Sequence, residues 1–368
     1  MQTQNAKIAS EYALEYASEY ACSISGRFES IQALVKQKSP QCVWTHCMIH
    51  REALGSKEIR PGLNIVLTAV VTISNYIKMR TLRSRIFSAL CNDMGSVHSE
   101  LLFKCEARCL SREKFLQRAH ELREEIVIFL EDNRPETGNL HYCLFVMKLR
   151  YLVVIFEKLN NLNLKLQGAN THMLDTSDEV NAFCRKLELW GRNLKQKNLT
   201  MFANVDNCTK TYKAEEEYMK VTFVTIENHL AMLAKNFKKY FPAHDKLLAS
   251  YEWVRNPFHK TPEGLSIDEE EKFIDFTTSG ETEMQFSNKS LFEFWQEEDF
   301  SALKQRAFRI LLPFSISYLC ETGFSAVASL KTKYRSRLNI ETGLRVAISN
   351  IKPHLKKLCS AGQTQGSH

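Results

Sequence analysis

From Arg51 onward the apolar residues recur with the spacing of an α-helix. Leu63, Val66, Leu67, Val70, Ile73 and Ile77 fall on one face, and so do Leu116, Ala119, Leu122, Ile126 and Phe129, so both sets predict core helices. Apolar residues three and four apart predict further helices over 141–166, 176–194, 214–241, 301–311 and 340–358. At the amino terminus Glu11, Glu15 and Glu19 repeat in steps of four, followed in the same register by Tyr12, Tyr16 and Tyr20 and by Ala13, Ala17 and Ala21, which predicts one helical face. A break over 23–27 precedes a short predicted helix near 28–38. The run 41–49, with Val43, Trp44, Thr45 and Ile49, is the best strand candidate in the chain. Segments 133–138 and 256–262 are turn-rich and polar and are the expected unit boundaries.

Composition sharpens this picture. With 368 residues the chain is long enough for two or three packed units, and 44% hydrophobic with 25% charged residues is ordinary for a folded globular protein. Only 13 Gly and 8 Pro interrupt it, which favours long helices over many short strands. The 11 Cys are never spaced as CxxC, which fits reduced thiols in a nuclear or cytosolic setting better than a disulfide framework. The first residues lack a basic segment followed by an apolar one and so do not read as a secretory signal. The longest apolar stretch, 63–77, is broken by Asn64, Thr68, Thr72, Ser74 and Asn75; it reads as a buried helix, and no membrane partner is expected.

Charge is unevenly distributed. The stretch 263–299 is acidic, whereas 331–357 carries Lys331, Lys333, Arg335, Arg337, Arg345, Lys352, Lys356 and Lys357 against Glu341 alone. That local excess equals the whole chain's formal charge of +7. Lys331, Lys333, Arg335, Arg337, Lys356 and Lys357 are the candidate phosphate contacts, since such contacts set affinity for nucleic acid; a solvated helix face accounts for the same residues.

Cys42, His46, Cys47 and His50 are metal-capable ligands, and zinc needs about four such donors converging tetrahedrally. In a strand, Cys42 and His46 would face one side and Cys47 the other, and no second Cys/His pair follows at finger spacing. A core or turn role is therefore the better reading, with Cys47 and His50 as the remaining candidates and no metal or other cofactor expected. No Gly-rich phosphate loop, GxSxG elbow, HExxH or Cys/His nucleophile signature occurs.

The segment Trp44-Thr-His-Cys-Met-Ile-His-Arg-Glu-Ala-Leu54, with a CxxH at Cys47 and His50, resembles the domesticated relatives of hAT transposases, among them the BED-type zinc-finger proteins derived from such elements. The likeness continues through 84–90, 106–112, 162–168, Trp253-Val-Arg-Asn-Pro-Phe258 and Tyr318-Leu-Cys-Glu-Thr-Gly-Phe-Ser325, and spans nearly everything after residue 17. The joint occurrence of these segments in one order makes the resemblance specific.

Active members resemble RNase H-like transferases in which two Asp and one Glu bind Mg2+, with a large helical insertion before the Glu. The resemblance places that Glu at Glu321 and puts Glu19 where the second Asp is expected; the first Asp would precede residue 1. Cys109 stands where relatives carry a Trp thought to stack on a displaced base, and a thiol has no π-face for stacking. The finger that reads DNA in full-length relatives has no counterpart here.

The expected fold is mainly α: a helical hAT insertion and a carboxy-terminal dimerisation region around a remnant of an RNase H-like core. The corresponding divisions are 1–60, the remnant with an amino-terminal helix; 61–289, the insertion; and 290–368, the dimerisation region. The expected function is that of a catalytically inactive, transposase-derived interaction protein, nuclear or cytosolic, which forms a homodimer or pairs with a related transposase-derived protein. Nucleic-acid binding through the basic segment is the alternative. Residual strand transfer by Glu19 and Glu321, with a partner chain supplying the rest, is a third reading.

Overall fold

In a computed structural model of the protein, the described residues are 34, 37–38, 47–103, 109–133, 143–167, 172–202, 205, 216–241, 251–297, 301–311, 326–327, 329–331 and 338–349. Among them the regular structure is helical and no strand occurs. The chain divides into two compact units, 1–315 and 316–368.

In the first unit, α1 (Met48–Ser56), α2 (Pro61–Lys78), α3 (Thr81–Asp93), α4 (Cys109–Glu121), α5 (Arg123–Asn133), α6 (Cys143–Leu166), α7 (Met173–Lys195) and α8 (Glu216–Tyr240) precede four more helices. These are α9 (Ile267–Thr278), α10 (Gly280–Asn288), α11 (Leu291–Glu297) and α12 (Ser301–Leu311).

Helix α6 is the centre of the first core. Met147, Leu149, Tyr151, Leu152, Ile155, Phe156, Leu159 and Leu162 are buried around much of its circumference, because α1, α2, α4, α7 and α8 all pack on it. A helix apolar on one stripe needs one neighbour; one apolar on several sides must be surrounded.

In α2, Leu63, Val66, Leu67, Val70, Ile73 and Ile77 are buried, the face that periodicity predicts, and each contributes about 1.5–3 kcal/mol. Pro61 starts this helix at a position where its missing N–H costs nothing.

The set Leu116 to Phe129 is likewise buried but lies on two helices, since the chain turns at Leu122 between α4 and α5. The predicted helices over 141–166, 176–194, 214–241 and 301–311 correspond to α6, α7, α8 and α12 within a few residues at each end.

The run 41–49 does not continue as a strand: residues 41–46 lie outside the described residues, and Met48 and Ile49 begin α1. The physical reason is the burial of Met48, Glu52, Gly55 and Ser56, four positions at helical spacing of which only the first is large and apolar. The remnant of an RNase H-like core rested on that strand and on the amino-terminal segment, which also lies outside the described residues.

A second core forms around α9 to α12. Trp253, Val254, Phe273, Phe276, Phe294, Trp295 and Leu303 pack together with Leu174 of α7. Trp295 donates its indole N–H to the carbonyl of Val254 at 2.8 Å, and Trp253 meets it edge-on at 5.4 Å between ring centroids. The turn-rich segment 256–262 thus lies between residues of one core, Val254 before it and Phe273 after it.

A capping box starts α9: the Glu269 N–H donates to Ser266 Oγ at 3.3 Å and the Ser266 N–H donates to Glu269 Oε2 at 2.9 Å. Arg306 of α12 lies 3.3 Å from the same carboxylate.

In the second unit, α13 (Glu341–Ile348) begins one residue after the predicted start of the 340–358 helix, and residues beyond 349 lie outside the described ones. Arg345 and Glu341 pair one turn apart at 2.9 Å. Leu338, Val346 and Ile348 are exposed. No single helix among the described residues is long and apolar enough to cross a membrane.

Candidate functional site

The residues singled out from sequence are placed unevenly. Cys47 is half-buried at the N-cap of α1, where its carbonyl accepts the Arg51 N–H at 3.0 Å, and His50 is exposed three residues on. Among the described residues no three His, Cys, Asp or Glu side chains converge as a metal site would require. Lys331 is exposed; Lys333, Arg335, Arg337, Lys356 and Lys357 lie outside the described residues, as do Glu19 and Glu321.

The densest polar chemistry sits instead where α1, α4 and α6 meet. Glu52 of α1 is fully buried. Its Oε2 accepts from Asn163 Nδ2 of α6 at 2.9 Å, and its Oε1 has no hydrogen-bond partner. Just past the end of α6, Gln167 donates to Asn163 Oδ1, and one turn back Asn160 donates to Glu113 Oε2 of α4 at 2.6 Å.

Burial pushes the Glu52 carboxyl up to about 7; the hydrogen bond from Asn163, the nearby Ser56 hydroxyl and the charge of Arg112 pull the other way but are too weak to restore an ordinary value. A carboxyl in this setting holds a proton near neutrality and changes charge over the physiological range.

Two further pairs, one buried and one half-buried, tie helices together. Tyr151 of α6 and His229 of α8 are hydrogen-bonded across 2.7 Å between the phenol oxygen and Nδ1. Burial, with Arg60 nearby, lowers the His229 pKa to about 4, so the ring is neutral at physiological pH. On α4, His120 Nε2 accepts from Arg150 Nε at 2.8 Å; burial and the Arg150 and Arg123 charges lower its pKa to about 4 as well.

At the rim, Arg51 donates Nε to the carbonyl of Tyr240, the last residue of α8, and lies 4.4 Å from the Phe241 ring centroid. A cation at a helix carboxy terminus is favourably placed against the dipole.

A groove of about 420 Å³ runs between the α1–α2 linker and α8, lined by Glu58, Arg60, Met232, Lys235 and Asn236 among others. Its one carboxylate, Glu58, accepts from Asn236 at 3.2 Å. The groove contains neither a carboxylate pair for metal-assisted phosphoryl chemistry nor a nucleophile beside a base.

Sequence reasoning passed over Glu52, Asn163, Tyr151 and His229. The signal for Glu52 was its place four residues after Met48 and four before Ser56; a charged residue at a buried position breaks the apolar period that would have marked the helix.

Taken together, α1 to α7 form a helical domain whose apolar core is crossed by polar contacts between helices. Residues 46–195, which contain these seven helices from end to end, match the model of the FAM200/GTF2IRD2 helical domain, FAM200-GTF2IRD2-like. That domain is related to domesticated, BED-hAT-derived transposases. No solved structure matches the chain.

Proposed function

We propose that the protein is a domesticated, hAT-transposase-derived interaction protein without catalytic activity, which acts in the nucleus or cytosol and self-associates through its carboxy-terminal region, 290–368. The observation that carries this reading is the match of residues 46–195 to the FAM200/GTF2IRD2 helical domain. Polar pairs join helices of that domain to one another, Glu52 to Asn163 and Glu113 to Asn160, and Tyr151 reaches beyond it to His229 of α8. The partner is a second copy or a related transposase-derived chain.

Leu338, Val346 and Ile348, exposed on α13 or just before it, support the self-association, since exposed apolar side chains gain about 1.5–3 kcal/mol each when a partner covers them fully. Size-exclusion chromatography with light scattering on the full chain should give a dimer, and joint substitution Val346→Glu and Ile348→Glu should raise the dimer Kd at least about tenfold. A wild-type monomer at tens of micromolar, or a Kd unmoved by the double substitution, overturns the reading.

A second reading rests on the basic segment 331–357: nonspecific nucleic-acid binding, with a role at chromatin or in transcription. It requires duplex binding that weakens steeply as salt rises.

A further inference from the structure

Two exposed helix faces in the first unit carry complementary chemistry. In α3 only Phe87 and Cys91 are buried. The opposite face presents Leu82, Ile86 and Ala89 at four- and three-residue steps, with Leu82 70% and Ile86 46% exposed. Arg85 lies on the same stripe, and Arg80 stands at its N-terminal end; neither makes an ion pair or side-chain hydrogen bond among the described residues. Arg83, on the flank, lies 3.8 Å from the Tyr76 ring centroid.

The acidic counterpart is α9. It buries Phe273 and Phe276 and turns Ile267, Glu270, Glu271 and Ile274 outward on the opposite side, with Ile267 78% and Ile274 54% exposed. Glu270 and Glu271 have no cationic partner among the described residues, whereas Glu269 is occupied by the capping box and by Arg306.

Each face is therefore a pair of large apolar side chains flanking unpaired charge, basic on α3 and acidic on α9. An exposed Leu or Ile is unremarkable singly, but two on one stripe with uncompensated charge between them form a small self-complementary set.

We infer that the α3 face of one copy docks on the α9 face of a second copy, with Leu82 and Ile86 against Ile267 and Ile274 and with Arg85 against Glu270 and Glu271. The occupant is a second copy because the complementary charge and apolar spacing are present in this same chain. The contact is separate from the carboxy-terminal one and adds a second mode of assembly. If two copies exchange these faces reciprocally, the assembly closes as a dimer; otherwise it extends.

The test uses the full chain carrying Val346→Glu and Ile348→Glu, so that residual self-association is read apart from the carboxy-terminal contact. In that background, sedimentation velocity should still show concentration-dependent association. Arg85→Glu alone or Glu271→Arg alone should each raise its Kd about tenfold, since each replaces an attraction by a repulsion. Mixing the two single variants should restore association to the background level, because the carboxylate introduced on α3 of one copy then faces the guanidinium introduced on α9 of the other. A background chain that is monomeric throughout, single variants that associate unchanged, or a mixture that stays monomeric each overturns the inference. None of these three results bears on whether the Val346 and Ile348 substitutions weaken the wild-type dimer, so the two contacts stand or fall separately.

Discussion

Replacing Glu52 by Gln isolates the energetics of the buried polar seam. The wild-type carboxyl sits at about 7 in the folded chain against an ordinary 4.5, with desolvation the largest cause. Between those values the folded protein holds a proton that the unfolded chain has released. Stability from this group is therefore full below about pH 4.5 and falls as pH rises through 7, then levels off. At ~1.36 kcal/mol per unit, the gap corresponds to about 3 kcal/mol lost on the alkaline side. The amide of Gln keeps the shape of the side chain and its hydrogen bonding but cannot ionise. The variant should match wild type within about 1 kcal/mol near pH 4.5 and exceed it by about 3 kcal/mol at pH 8.5. Urea unfolding followed by circular dichroism at both pH values reads the difference directly, and comparing variant with wild type cancels the other titrating groups. A variant less stable than wild type at pH 8.5, or an equal difference at both pH values, would refute the reasoning.

Two other substitutions probe the contacts that define the cores. Tyr151→Phe deletes the partner of His229 inside the bundle and should cost about 1–3 kcal/mol by urea unfolding, because the ring nitrogen stays buried with nothing to bond. Ser266→Ala removes one half of the capping box at α9 and should cost about 1 kcal/mol, read as faster amide exchange over the first turn of that helix.

The sequence was most legible where core residues are apolar and closely periodic. In α2 all six positions of the predicted face are buried, since Leu, Val and Ile there have no competing polar role. At Leu122 the same period carries across a turn between α4 and α5, because a helix break that preserves the buried face leaves no mark on the apolar pattern.

Legibility failed where burial was polar or slight. Glu52 and Ser56 occupy core positions of α1, so the stretch before them read as strand from its Val, Trp and Ile content. Helix α3 buries two side chains, too few to set a period. Helix α9 hid among acidic residues, although Ser266 with Glu269 three residues later is a start signal available in the sequence. The candidate site was less legible than the fold: Glu52 meets Asn163 only because α1 folds back on α6, a contact between residues far apart in the chain that no local pattern encodes.

The central claim is that the protein works through association with its own kind. Sedimentation velocity on the full chain, with and without a short labelled DNA duplex at low salt, tests it most directly. A dimer, or a larger assembly built from it, is predicted, with the same sedimentation in the presence of the duplex. A monomer at every concentration, or a DNA-bound species that dissociates as salt is raised, would contradict it.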